Sequence, residues 1–245
     1  MVQQYTTYKV INDITKEYNN MFKIIKYHTP LLIKSNYDKL PSVVDKKLKE
    51  DEDNIQRSVR RTKSVIRDYV LSNNFELFVT FTFNPKKVDR YSFNHCALKM
   101  QSWLARVRQS QDKDNPFKYL IVPEFHKDGA IHFHALILNY PKPLTKTKVI
   151  MNSKIVYNLP SFRYGFTTAQ KIDDGKVVFG YLTKYITKDM PLVFNRKRYW
   201  SSRNLEKPIV YHNRIKDLNL ADRLLNDAIV AENQYSVVYQ LPKFD

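Results

Sequence analysis

The stretch FKYLIVPEFHKDGAIHFHALILN, residues 117–139, decides the architecture. Two apolar runs, Phe117 to His126 and Ile131 to Asn139, flank Lys127, Asp128 and Gly129. Short runs rich in Ile, Val, Leu and Phe between turn residues read as strands. A three-residue hairpin loop needs a left-handed third residue, and Gly129 adopts that conformation without a Cβ penalty. The spacing therefore predicts a β-hairpin. Side chains alternate along a strand, so His132 and His134 share one face. Pairing across the loop sets His126 opposite Ala130 and Glu124 opposite His132, within direct cross-strand reach. Two imidazoles and a carboxylate suit a divalent ion, Mn²⁺ or Mg²⁺ ahead of Zn²⁺. An open sheet face leaves coordination positions for a substrate oxygen. Taken alone, His-x-His on a strand is most often two polar residues facing solvent; Glu124 is the independent sign. His126 shares the face by parity but sits at the loop edge, and ranks below Glu124 as a ligand.

Working outward, Phe75 to Phe83 reads as a strand, ended by Asn84 and Pro85 because proline gives the ladder no N–H. Ser92 is placed to cap a helix running to about Gln109, with Leu98, Trp103, Leu104 and Val107 toward the core. Asn54 to Leu71 predicts another helix, apolar at Ile55, Val59, Val65, Ile66, Tyr69 and Val70. Arg57, Arg60, Arg61, Lys63 and Arg67 fill much of its remaining surface, as a solvated face or as a phosphate-contacting one. Val149-Ile150 and Ile155 to Tyr157 suggest a small hairpin across Asn152-Ser153, and Phe162 to Thr168 a further strand. Lys176 to Lys188 and Leu218 to Val230 read as helices, Tyr235 to Leu241 as an edge strand, and Ile14 to Tyr27 as a weak helix. The expected class is α+β: a central antiparallel sheet of about five strands with packed helices. The expected division is an N-terminal extension over 1–53, a catalytic domain over 54–215, and a C-terminal helix and strand over 216–245 packing on that domain.

Composition narrows the function. Of 245 residues, 43% are hydrophobic and 13% aromatic, which excludes a mainly disordered chain. Lys and Arg number 41 against 24 Asp and Glu, a net charge of +17 that favours a polyanionic partner, nucleic acid ahead of a membrane surface. Cys96 is the one cysteine, so no disulfide or thiolate zinc site forms within one chain, which fits a reducing cytosol. The first residues lack the pattern of a secretory signal, and apolar runs such as Ala135 to Leu138 are far too short to span a bilayer. A cytoplasmic protein without membrane association is expected. None of the four glycines opens a phosphate-binding loop of the GxxxxGK[ST] type, so strand unwinding would come from another protein.

The segment YLTKYITK, residues 181–188, is a tandem YxxK. On a helix Tyr181 and Tyr185 stack on one face, flanked by Lys184 and Lys188. A phenol is a poor nucleophile at neutral pH, but a nearby ammonium favours the phenolate. Alone, the segment reads equally as an amphipathic helix with two half-buried tyrosines and two surface lysines.

The combination is more specific than its parts. A Thr-bearing apolar strand (Phe78 to Phe83) comes first, then Glu-x-His-x-Asp-Gly-x-x-His-Phe-His, then YxxKYxxK. This resembles the HUH endonuclease superfamily, and within it the rolling-circle replication initiators (Rep proteins) of small phages and plasmids. The likeness runs from about residue 57 to about 208, including Arg198 to Leu205; residues 1–50 carry none. It implies Glu124, His132 and His134 as ligands of a divalent metal, Mn²⁺ or Mg²⁺, and Tyr185 as the group that attacks a phosphate of single-stranded DNA. Tyr181 would act in alternation, with Lys188 and Lys184 stabilising charge beside the two tyrosines. The products would be a 5′-phosphotyrosine link and a free 3′-OH, and rejoining would be the reverse reaction. Transesterification conserves the bond energy, so no ATP is needed. Thr80, Thr82, Asn84, Arg198 and Trp200 are candidate DNA contacts, the last two as a phosphate and stacking site. The implied partners are single-stranded DNA at a replication origin and a host helicase and polymerase, in the cytoplasm of a bacterial host cell. An HUH-type tyrosine transposase, a water-using metal nuclease, and a non-catalytic DNA-binding protein on the same fold are the alternatives.

Overall fold

The computed structural model describes residues 8–34, 52–173, 182, 198–215 and 227–243. These divide into two compact units, one within residues 50–206 and one drawing on the chain before 49 and after 207.

The first unit is built on the hairpin. Strands β4 (Lys118–Phe125) and β5 (Ile131–Leu138) pair antiparallel, and Gly129 sits at φ 82° in the loop. Asp128 fixes that loop: its carboxylate accepts the Ala130 N–H at 3.0 Å and pairs with Arg90 at 3.0 Å. Strand β3 (Leu77–Phe83) lies on the other side of β5. Beyond β3 come β8 (Gly165–Lys171), β7 (Lys154–Asn158) and β6 (Thr145–Met151). The short β9 (Trp200–Ser201) closes the far edge beside β4. The sheet thus runs β6-β7-β8-β3-β5-β4-β9, seven strands where about five were expected, with every recorded pairing antiparallel. The β6–β7 turn falls at Asn152 and Ser153, both at positive φ, as a two-residue type I′ hairpin requires.

Each sheet face buries its own core. On one face lies α2 (Phe93–Arg108), capped by Ser92, whose hydroxyl accepts the His95 N–H at 3.3 Å. Its buried stripe is Cys96, Ala97, Met100, Trp103, Leu104 and Val107, against Val79, Phe81, Ile121, Phe133 and Ile137. Leu98, expected toward the core, is 58% exposed, because it lies two positions off that stripe. The other face buries Leu120, Val122 and Leu136 against Ile66, Tyr69 and Val70 of α1 (Glu52–Ser72). Arg57, Arg60 and Arg61 of α1 are exposed.

The second unit corrects the expected division. Residues 14–27 are not helical: β1 (Tyr8–Glu17) and β2 (Met21–Lys34) form an antiparallel pair. Burial alternates at Ile11, Asp13 and Thr15, a period of two that packs only as a strand. The C-terminal strands join them rather than the first unit, giving a five-stranded sheet in the order β10-β1-β2-β12-β11. Its members are β10 (Ile209–His212), β11 (Ile229–Glu232) and β12 (Ser236–Pro242). Ile229 and Val230, expected to end a helix, lie in β11, and β12 is interior rather than an edge. The boundary falls near residue 206 rather than 215. Glu17 accepts from Tyr211 at 2.8 Å and from Lys243 at 2.7 Å, which holds its carboxyl below the usual glutamate range. Among the described residues no helix is long and apolar enough to cross a membrane. The helix expected at 176–188, apart from Leu182, and most of that expected at 218–230 lie outside the described residues.

Candidate functional site

The sheet face that carries α1 has two zones. Its lower zone is the apolar cluster of Leu120, Val122 and Leu136. Its upper zone is polar, because strand register lines up polar residues there. Thr82 pairs with His132 and His132 with Glu124, while Thr80 pairs with His134. The cross-strand position of Glu124 is the one its hairpin loop dictates.

Side-chain geometry refines this picture. Glu124 reaches diagonally, its Oε2 lying 2.6 Å from His134 Nε2. The opposite ring nitrogen, Nδ1, is 3.1 Å from Thr80 Oγ1. His134 is held between a hydroxyl and a carboxylate, 4% exposed, with Phe78 stacked on it at 6.0 Å. His132 instead stacks on His126, ring centroids 4.7 Å apart. Burial pushes the His132 imidazole below its usual value, and His126 and His134 push it further the same way. Imidazole binds a metal only when neutral, so this shift suits a ligand.

Among the described residues no three His, Cys, Asp or Glu groups stand in metal-holding positions. The donor set still fits a hard divalent ion in type and placement: two imidazoles and a carboxylate on adjacent strands of one face. Adjacent ligands of an octahedral Mg²⁺ with bonds near 2.0–2.1 Å stand about 3 Å apart. The 2.6 Å contact between Glu124 and His134 opens by a few tenths of an ångström to reach that spacing.

The remaining candidate residues separate. Thr80 bonds His134, a role that sequence reasoning did not assign to it. Thr82 lies beside His132 in the same polar zone. Asn84 Oδ1 accepts the Lys86 N–H at 2.9 Å and shapes the turn after β3. Trp200 pairs opposite Ile121, on the α2 face, with its ring tilted against Phe133 at 5.1 Å. It is therefore on the opposite side of the sheet from the histidines. Arg198 is 6% exposed and is not an open surface cation. Tyr181, Lys184, Tyr185 and Lys188 lie outside the described residues. Leu182, next to Tyr181 in sequence, is helical and fully buried with Leu120, Val122 and Leu136. The tandem YxxK segment is therefore anchored at Leu182 on the sheet face that bears Glu124, His132 and His134.

Residues 76–190 match the family model of the replication-associated proteins of the ORF2 type. The match spans the Thr-bearing strand, the histidine hairpin and the tandem YxxK, and covers a little under half of the chain. That segment is similar to replication-associated proteins of the Rep type, which supports a replication initiator role. No curated protein and no solved structure matches the chain.

Proposed function

We propose that the protein is a rolling-circle replication initiator of the HUH type. It nicks and rejoins single-stranded DNA through a tyrosine–phosphate bond. One observation carries the reading: Leu182 buries the tyrosine segment against the face that holds the paired histidines and glutamate. Tyr185 attacks the scissile phosphorus, a P–O bond to its phenol oxygen forms, and the bond to the leaving 3′ oxygen breaks. The DNA is left 5′-linked to tyrosine with a free 3′-OH, and attack by a 3′-OH reverses the step. Tyr181 serves the second of two alternating transfers. Lys184 and Lys188 favour the phenolate by charge. Glu124, His132 and His134 would hold a Mn²⁺ or Mg²⁺ ion, which when bound supplies charge stabilisation at the phosphate. Thr80 keeps the His134 ring oriented, as partners behind a metal ligand do. The polyanion preference of a +17 chain fits single-stranded origin DNA as substrate. Host helicase and polymerase complete replication in the bacterial cytoplasm.

The test mixes the protein with randomised single-stranded oligonucleotides and Mn²⁺, with EDTA in a parallel tube, on a denaturing gel. A metal-dependent covalent adduct, lost when Tyr181 and Tyr185 both become Phe, is the expected result. Cleaved DNA without an adduct would point to a water-using nuclease. The closed Glu124–His134 contact favours a second reading, a DNA-binding protein on the same fold without the chemistry. It gives binding with neither adduct nor cleavage, on random DNA and on origin hairpins alike.

A further inference from the structure

On the sheet face opposite the histidines, a cavity of about 370 Å³ opens beside α2. Its size is near the lower end for small-ligand pockets. Trp103 and Arg106 come from α2, Lys142 and Pro143 from the β5–β6 connection, and Ser161 and Arg163 from the β7–β8 connection. Its lining carries three cations and no carboxylate. Arg106 is fixed in place: its Nη1 donates to Ser102 Oγ at 2.8 Å and to the Tyr164 hydroxyl at 3.0 Å. Its Nη2 is buried and has no hydrogen-bond partner among the described residues. Ser161 is held as tightly, accepting from Trp103 Nε1 at 2.8 Å and bonding the Tyr140 hydroxyl at 2.6 Å. A buried guanidinium N–H without a partner is unfavourable unless a ligand satisfies it. A preset guanidinium fork suits phosphate oxygens, and Lys142 and Arg163 add charge for a dianion. The proline walls are apolar and rigid, a surface against which a sugar or base rests.

We propose that this cavity binds the phosphate and sugar of one nucleotide, either free or as a unit of a DNA strand. The site is separate from the histidine face, and its occupancy needs no divalent metal and no tyrosine chemistry. The full chain is titrated calorimetrically in EDTA with dTMP, thymidine, inorganic phosphate and 5′-phosphorylated (dT)4. One-to-one dTMP binding is expected, with no thymidine binding and weaker binding of inorganic phosphate. Arg106→Gln is expected to weaken dTMP at least tenfold, and His132→Gln to leave it unchanged. Arg163→Gln, at an exposed position, weakens binding without touching the core and covers the case in which Arg106→Gln misfolds. Tighter dTMP than (dT)4 identifies a free nucleotide, and the reverse identifies a strand; both support the site. Undiminished dTMP binding in Arg106→Gln and Arg163→Gln, loss of binding in His132→Gln, phosphate as tight as dTMP, or no binding at all would overturn it.

Discussion

Thr80 meets His134 on the ring nitrogen that faces away from Glu124. A hydroxyl can donate to that nitrogen or accept from its N–H, so it holds the ring in either tautomer. Thr80→Val removes the hydroxyl at nearly constant volume. Metal affinity and nicking are expected to fall about ten- to a hundredfold, with Thr80→Ser retaining most of both; Mn²⁺ titration and adduct yield measure this. His132 titrates below its usual value because it is buried. The unfolded chain therefore takes up that proton first as pH falls. Stability attached to His132 is full above the ordinary histidine value near 6.5 and declines as pH falls toward the lowered folded value. The metal-free protein is expected to melt at lower temperature at pH 5 than at pH 7, with a smaller difference in His132→Gln. Cys96 is buried in the α2 core and its thiol is pushed up to about 12, so thiol reagents at pH 8 should leave it unmodified until the protein is unfolded.

Strands and helices differ in how much the sequence discloses. The β4–β5 hairpin was legible because a three-residue loop fixes its register, and with it the placement of Glu124 opposite His132. The α2 helix was legible from Ser92 and its apolar period. The β3–β5 pairing joins strands some fifty residues apart, with no turn to set the register, so the Thr80–His134 bond was not legible. The same holds for β9, whose pairing with β4 turns Trp200 to the α2 side. Gly165 tests the β3–β8 pairing, since a Cβ there would collide with the backbone of Thr82, Phe83 and Asn84. Gly165→Ala is expected to lower the melting temperature and, by displacing Thr82, the nicking rate. Trp103→Ala removes a fully buried side chain and its bond to Ser161, a loss of about 3–5 kcal/mol in denaturant unfolding.

At the scale of the molecule, charge and division into units decide what can be read. The +17 balance announces a polyanionic partner but not its sequence. Affinity for single-stranded DNA is expected to fall at least about tenfold between 50 and 200 mM salt, as counterion release requires. The N- and C-terminal strands were hard to recognise as one sheet because their pairing closes across the whole first unit, Ile14 meeting His212 and Ile24 meeting Tyr239. The central claim is that the tyrosine segment anchored by Leu182 and the histidine face form one transesterification site. Its most direct test digests the DNA of the covalent adduct to a single nucleotide and maps the modified peptide by mass spectrometry. A phosphonucleotide on Tyr185 or Tyr181 is expected, absent in EDTA and in His132→Ala with His134→Ala. A nucleotide on any other residue, or cleaved DNA with neither tyrosine modified, would contradict the claim.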